Sequence, residues 1–317
     1  MASLETVALD QERWKLTANT LKHNLEKARL RILGLSIAGA ILEAFAVQAH
    51  TTYPAASEVS GYAGAVALAL VVVVRIQGLR RERVQAWVLA AAASQSLKSE
   101  MYQYRTSSGP YGDHLNGNPE ATLLERRNDI LENVRSIQRY IVEPDPKTVA
   151  LLGPLDADAY VSERVNRVIG SFRKESEHFV SAQDSWQKVE YFLAIAGALL
   201  AAALAFTHHQ ADAAWVAVVT TISVAVGADA LAERYAQLTV GYRSMPNRLT
   251  RILGRWRANH GTLDVLVEQV ETALIEENQG WVAGADEFVK DIASSPAKDS
   301  PAKLGLHSPA SRTARLG

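Results

Sequence analysis

Two alanine-rich apolar stretches, one in each half of the chain and each broken in its middle, constrain this sequence more than any other feature. The first runs from Ile32 to Ala49, breaks at Tyr53-Pro54 and returns from Gly61 to Gly78. The second runs from Tyr191 to Thr207, breaks at His208-His209-Gln210 and returns from Ala213 to Leu231. A helix that crosses a hydrocarbon layer of about 30 Å needs roughly 17–25 mostly apolar residues. Ile32–Ala49 is interrupted only by Ser36, Glu43 and Gln48, and Gly61–Val74 is apolar up to Arg75, which is close enough to the end to snorkel. Tyr191–Phe206 is uncharged, and Trp215–Ala228 is polar only at Thr220, Thr221 and Ser223 before it reaches Asp229. All four arms are short for spans. A soluble bundle of helices that are hydrophobic all round therefore stands as the alternative.

Three features favour lipid. Arg29 and Arg31 precede the first hairpin and Arg75, Arg80, Arg81 and Arg83 follow it, whereas the loop His50–Ser60 has no lysine or arginine. That asymmetry is what the positive-inside rule requires when both ends of a hairpin face the cytoplasm. Tyr53, Tyr62, Tyr191 and Trp215 stand where an interfacial aromatic belt belongs. The arms are also lined with small residues, which let helices approach closely in a bilayer. The second hairpin repeats the pattern more weakly, with Lys188 before it, Arg234 and Arg243 after it, and no lysine or arginine in its loop. The expectation is a multi-pass membrane protein with both termini cytoplasmic.

The rest of the composition excludes more than it assigns. The 33 lysines and arginines nearly equal the 34 aspartates and glutamates, so the global basic excess of a nucleic-acid binder is missing and no nucleic-acid partner is expected. Cysteine is absent, which rules out disulfides, thiolate zinc sites and a cysteine nucleophile. The leader before Ile32 carries Glu5, Asp10, Glu12 and Glu26 and lacks a short basic start, so a secretory signal peptide is not expected. From Ser294 onward the chain is rich in Ser, Pro and Ala and reads as a solvated, disordered tail.

The two halves share a pattern. Ser36–Leu42 (SIAGAIL) matches Ala194–Leu200 (AIAGALL). Upstream of the first hairpin, Trp14, Ala18, Leu21, Leu25, Ala28, Ile32 and Leu35 follow a four-three spacing. Upstream of the second, Val161, Val165, Val168, Phe172, Phe179, Ala182, Trp186 and Val189 do the same, with Glu175 the one break. Superposing the small-residue motifs sets Trp14 on Phe172, Leu21 on Phe179 and Ala28 on Trp186, so the stripes are in phase. Arg81-Glu82-Arg83 and Ala232-Glu233-Arg234 then follow the respective hairpins. These features predict two same-orientation copies of an amphipathic helix, a hairpin and a trailing helix.

Between the copies, Thr122 and Glu125 have capping-box spacing, and Leu124, Leu131, Val134, Ile137 and Ile141 predict one amphipathic helix over Thr122–Ile141. Loop signals flank it at Gly109–Pro119 and at Pro144, Pro146 and Pro154. A last helix follows Gly261, with Leu263, Leu266, Val267, Val270 and Leu274 on its apolar face and Glu268, Glu271, Glu276 and Glu277 placed largely elsewhere. The expected division is a first two-span module over residues 1–108, a linker with one helix over 109–155, a second two-span module over 156–291 and a tail over 292–317.

Tyr160-x-x-x-Arg164, Ala182-x-x-x-Trp186, the second hairpin, Tyr235 and Tyr242, and the ending EQVETALIEENQGW together resemble the SLATT superfamily over Tyr160–Trp281. The closing glutamates before Trp281 are the most specific part. Trp14–Tyr104 resembles a more divergent copy, which lacks a clear counterpart to the acidic helix ending in tryptophan. The resemblance implies a two-transmembrane effector found beside nucleotide-generating and nucleotide-sensing proteins in prokaryotes. It further implies a pore-forming member of a conflict or antiviral defence system, one that oligomerises and permeabilises the membrane when a sensor partner triggers it.

No Ser–His–Asp set, phosphate loop or HExxH helix occurs, so neither enzyme activity nor a catalytic, cofactor-binding or metal site is expected. His208, His209 and Asp212 put imidazole and carboxylate in the outer loop, but neighbouring histidines point apart in most conformations, and solvated loop residues are the expected reading. The tyrosines of Ala92–Tyr104 read as helix surface rather than a stacking platform. Ser36, Gly39, Glu43, Gly197, Ser223 and Gly227 are the candidate span-packing or pore-lining residues. Glu43, Arg75 and Asp229 are the charges in or at the border of the spans: Glu43 either lines water or packs between helices, and Arg75 and Asp229 either pair or snorkel independently. The whole predicts an all-α integral membrane protein that self-associates through its spans and coiled-coil-like cytoplasmic stalks. A passive membrane scaffold and a soluble helical oligomerisation module are the other readings.

Overall fold

The computed structural model describes residues 2–50, 52–78, 80–112, 117–145, 153–177 and 235–294, together with Ser181, Lys188, Tyr191 and Ile195. Helices and turns make up these residues, with no strand among them. The second hairpin, with Gly197, His208, His209, Asp212, Ser223, Gly227 and Asp229, lies outside the described residues, as do Phe179, Ala182, Trp186 and Val189.

Helix α1 (Ala2–Ala49) is continuous from the polar leader through the first apolar arm. At 1.5 Å per residue it is about 72 Å long. Its four-three stripe does what the spacing predicts: Trp14, Ala18, Leu21, Leu25 and Ala28 are all buried. After a turn at Tyr53, whose amide donates to the Ala49 carbonyl at 2.7 Å, α2 (Pro54–Gly78) returns along α1. Pro54 at the first position of α2 has no amide to lose and a φ already suited to a helix. Helix α3 (Arg81–Arg105) then runs back along the lower half of α1 and away from the hairpin. Gln11 Nε2 donates to Ser94 Oγ at 3.1 Å, which marks how far down α1 it reaches.

The hairpin is packed inside out compared with a soluble core. Gly39, Ala40 and Ala44 of α1 and Ser57, Ser60, Gly64 and Ala67 of α2 are buried between the two helices. The large apolar side chains point outward: Phe45 is 48% exposed, Val59 69%, Val66 58% and Ile76 60%. A continuous apolar skin of this kind is untenable in water and normal in lipid. Both helices are long and apolar enough to cross a membrane. The chain is an all-α membrane protein, and the outward apolar skin argues against the soluble-bundle alternative for this hairpin.

The segment after α3 departs from the single predicted helix. A 3-10 turn at Gly109–Tyr111 precedes α4 (Pro119–Asn133), which is capped by Asn118 rather than by Thr122: the Asn118 Oδ1 accepts from the Glu120 amide at 3.1 Å. The helix ends at Asn133 and becomes a 3-10 stretch over Arg135–Tyr140. The tighter turn stacks residues three apart, which carries Val134 and Ile137 into the same core. The α4 residue that enters this core is Leu123, whereas Leu124 is 37% exposed. This segment does not hang free, because Leu123, Val134 and Ile137 join Val7, Trp14, Leu21, Ala90 and Leu97 in one cluster with α1 and α3.

Helix α5 (Ala157–Tyr160) opens the second half, with the Asp156 side chain accepting from the Ala159 amide at 2.8 Å. It widens into a π-helical stretch over Val161–Asn166 and continues as helix through residues 167–177. Helices α6 (Tyr235–Ala258) and α7 (Leu263–Ser294) pack on it through Val161, Val165, Met245, Leu249, Ile252, Leu266, Val267 and Val270. Tyr102 of α3 belongs to the same cluster, so α3 serves both halves.

Candidate functional site

The closing helix corrects one expectation outright. Glu271 does not share the solvent face of α7: it is 0% exposed and stands among Leu266, Val267, Val270 and Ala273. A carboxylate so placed must be fully partnered or it destabilises the fold. Four hydrogen bonds reach it. Arg164 Nε donates to Oε1 at 2.9 Å and its terminal amino group to Oε2 at 2.7 Å, a bidentate fork. Tyr160 Oη donates to Oε1 at 2.9 Å and Ser99 Oγ to Oε2 at 2.6 Å. Both carboxylate oxygens therefore accept two bonds each.

The local fold explains how these groups meet. Tyr160 and Arg164 are four apart, one turn of helix, and Arg164 lies in the π-helical stretch. A π turn shifts the register of side chains on a helix face and recurs at functional positions. Tyr102 forms the platform beneath: the Arg164 guanidinium lies 4.9 Å and the Arg105 guanidinium 5.5 Å from its ring centroid, and the Tyr160 ring meets it edge-on at 6.0 Å. The tyrosines of this part of α3 are thus not mere helix surface. Tyr102 is buried because the second half of the chain covers it, which no local pattern encodes.

The electrostatics follow from burial. Desolvation raises the Tyr160 hydroxyl well above its ordinary pKa, and the Glu271 charge raises it further, so it remains a donor. For Arg164, desolvation opposes the charge, but attraction and hydrogen bonding to Glu271 outweigh it and raise its pKa. Lys98 stands at the edge of the network, lowered to about 8 by desolvation and then by Arg164, Lys15 and Arg167, with Glu271 acting the other way. Between about pH 8 and the ordinary value of 10.5, the folded chain has released a proton that the unfolded chain keeps. Stability should therefore rise as pH increases through that window and stay flat below it, as far as Lys98 is concerned. Thermal unfolding at pH 7.5 and 9.5 checks this: Lys98→Met should remove the rise, and an unchanged rise would reject the assignment.

Around the carboxylate, further bonds tie the two halves together. Arg105 Nε donates to the Gly153 carbonyl at 2.7 Å, the Leu155 amide to the Arg105 carbonyl at 2.8 Å, and the Gly109 amide to Asp264 Oδ1 at 2.7 Å. Asn278 Nδ2 reaches the Ala92 carbonyl at 3.3 Å. The first half closes by a parallel device with the charges exchanged. There Asp10 on the leading helix is buried and paired with Arg127 of α4, whose Nε donates to Oδ2 at 2.6 Å, and with Arg13 at 2.9 Å. In each half a buried ion pair joins the leading helix to the helix that follows the trailing one. Helix α4 thus occupies the place that α7 holds in the second half.

The sequence-derived span residues occupy the hairpin. A Cβ on Gly39 would come within 2.8 Å of Leu68 Cδ2, and one on Gly64 within 3.0 Å of Glu43 Cγ and Oε1. Glu43 therefore lies over Gly64 in the helix–helix seam instead of facing lipid. Ser57 Oγ donates to the Ala46 carbonyl at 2.6 Å in the same seam. Ser36 is half-buried beside it, and Arg75 is exposed near the end of α2. Gly78, to which the sequence gives no special role, makes the tightest approach: a Cβ there would stand 2.6 Å from Ala28 Cβ.

The fold and its junction define an all-α membrane protein whose two halves are locked together by a buried carboxylate. Residues 160–281 match the family described as SMODS and SLOG-associating 2TM effector domain 1, so the second half carries a SLATT-type domain. Residues 12–118 match a family described only as a protein of unknown function, DUF4231. No curated protein and no solved structure is significantly similar to the chain. Three of the four groups at the junction, Tyr160, Arg164 and Glu271, fall within the SLATT-type match, and Ser99 falls within the other.

Proposed function

We propose that this protein is a membrane effector of a prokaryotic conflict system that self-associates through its hairpins and permeabilises the membrane when its cytoplasmic helices receive a signal from a sensor partner. The observation that carries the reading is the hairpin with small residues inside and large apolar residues outside, joined to a SLATT-type effector domain. The function is mechanical, not enzymatic, and needs no cofactor. Both hairpins enter from the cytoplasmic side. In support, the leading helix of the second half meets α1, where Lys22 Nζ donates to Glu175 at 3.3 Å. The Glu271 junction makes the modules move as a unit, so a displacement of α6 and α7 reaches α3 and thence the hairpin.

Dye release from liposomes containing the purified full chain, alongside membrane potential in cells that overproduce it, tests the proposal. Leakage that scales with protein density is expected. A protein that inserts and self-associates yet leaks nothing, even in cells carrying its native partners, would be a scaffold. Glu43→Gln provides a finer test. A carboxylate held over Gly64 in the seam is expected to lower release several-fold on neutralisation if it faces the permeation path. Unchanged release would assign Glu43 to helix packing alone.

A further inference from the structure

Helix α6 carries Arg243, Arg248, Arg251, Arg255 and Arg257 and no acidic residue or lysine, in a chain whose charges otherwise nearly balance. Arg248, Arg251 and Arg255 fall on one face and form, with Glu268, Gln269 and Thr272 of α7, the two walls of a groove floored by Ile252. Several arginines that pack the helices together are matched to a carboxylate: Arg13, Arg105, Arg126, Arg127, Arg139, Arg164 and, at the groove's rim, Arg248 with Glu276 at 2.5 Å. Arg251 and Arg255 have no such ion pair among the described residues. Glu268 lines the same groove without reaching either one. With Glu276 held by Arg248 and Glu268 on the wall, three guanidiniums stand against two carboxylates, which leaves the groove electropositive around Arg251 and Arg255.

We propose that this groove binds a small, soluble ligand bearing adjacent phosphate groups. Arg251 and Arg255 are one turn apart, so their side chains are neighbours on the helix surface. Planar guanidiniums grip phosphate oxygens in pairs, which lysines cannot do. Thr272 and Gln269 on the opposite wall supply neutral donors for the remainder of the ligand. Lipid headgroups bear the same chemistry, but the groove's position argues against them. Ile252 packs in the cluster that holds Tyr102, and Tyr102 lies 21 residues along α3 from Arg81 at the hairpin's base. At 1.5 Å per residue that is about 31 Å from the membrane border, beyond the reach of an arginine side chain.

Titration calorimetry of the full chain in detergent, with inorganic pyrophosphate at about 0.15 M salt, tests the site. Saturable binding near one per chain is expected, weakened about tenfold or more in Arg251→Ala/Arg255→Ala through lost charge-assisted bonds and tightened in Glu268→Gln through lost repulsion. All three substituted residues are exposed, so melting temperatures should not change. Glu268→Gln predicts a gain, which misfolding cannot mimic. No saturable binding, equal affinity in the double variant, or weaker binding in Glu268→Gln would overturn the proposal. So would a double variant that loses only its adhesion to anionic vesicles, since that result assigns the arginines to lipid. Because the readout is binding, its failure leaves the permeability reading standing, and the converse holds.

Discussion

Glu271→Ala is expected to destabilise the helical part outside the hairpin by about 3–5 kcal/mol, the cost of leaving a buried arginine without its partner. Arg164 is 2% exposed and pairs with no other carboxylate among the described residues, while Tyr160 and Ser99 would each lose their acceptor. The expected signs are a large fall in melting temperature and new protease cleavage between residues 112 and 157, where the halves are joined. Arg164→Met combined with Glu271→Leu removes both charges and should recover much of the loss, because well-packed apolar residues can replace a buried ion pair. A single variant with unchanged melting would show that the junction is not a latch. If the single variant does not fold, recovery in the double variant still decides the point.

The second large effect is expected at Gly78. Adding one methyl group there puts two Cβ atoms 2.6 Å apart, and neither Ala28 nor the new alanine has a rotamer that relieves the clash. The helices must separate at the base of the hairpin, at a cost of about 1–3 kcal/mol. Gly39→Ala should be much milder, because the atom it meets is the mobile end of Leu68; Gly39→Leu should not be. Dye release and thermal unfolding should both fall in Gly78→Ala and return in Gly78→Ala combined with Ala28→Gly, which moves the missing methyl to the other helix. Absence of rescue would mean that Gly78 matters for some reason other than contact with Ala28.

These two positions show how differently the parts of the molecule could be read from sequence. The buried stripe of α1 was legible because a four-three repeat of apolar residues can bury only one face of a helix, and Trp14 through Ala28 lie on it. Gly39 and Glu43 could be assigned to a small face of the hairpin, since small residues in an apolar arm mark where two helices touch. Gly78 could not be singled out, because the clash depends on its register against Ala28, fifty positions earlier. Tyr160 and Arg164 stood out as a motif, but their spacing says nothing of the carboxylate they hold. Glu271 followed the helical rhythm of charged residues that ordinarily face water. Its burial arises because α3, from the other half of the chain, covers that side of α7 with Ser99 and Tyr102. The same cause made the α3 tyrosines look like surface. The helix predicted over Thr122–Ile141 exists but starts at Pro119 under an Asn118 cap and gives way to a 3-10 stretch, and Leu123 rather than Leu124 meets the core that Val134 and Ile137 also enter.

By itself the sequence determined that this protein is all helix and that the first apolar hairpin belongs in lipid, and it predicted two similar units in succession. Those properties depend on periodicity, composition and local charge, which act within a few turns of chain. Only the tertiary structure decided that the two units close on each other through one buried glutamate, because a carboxylate survives out of water only when partners from distant segments arrive together.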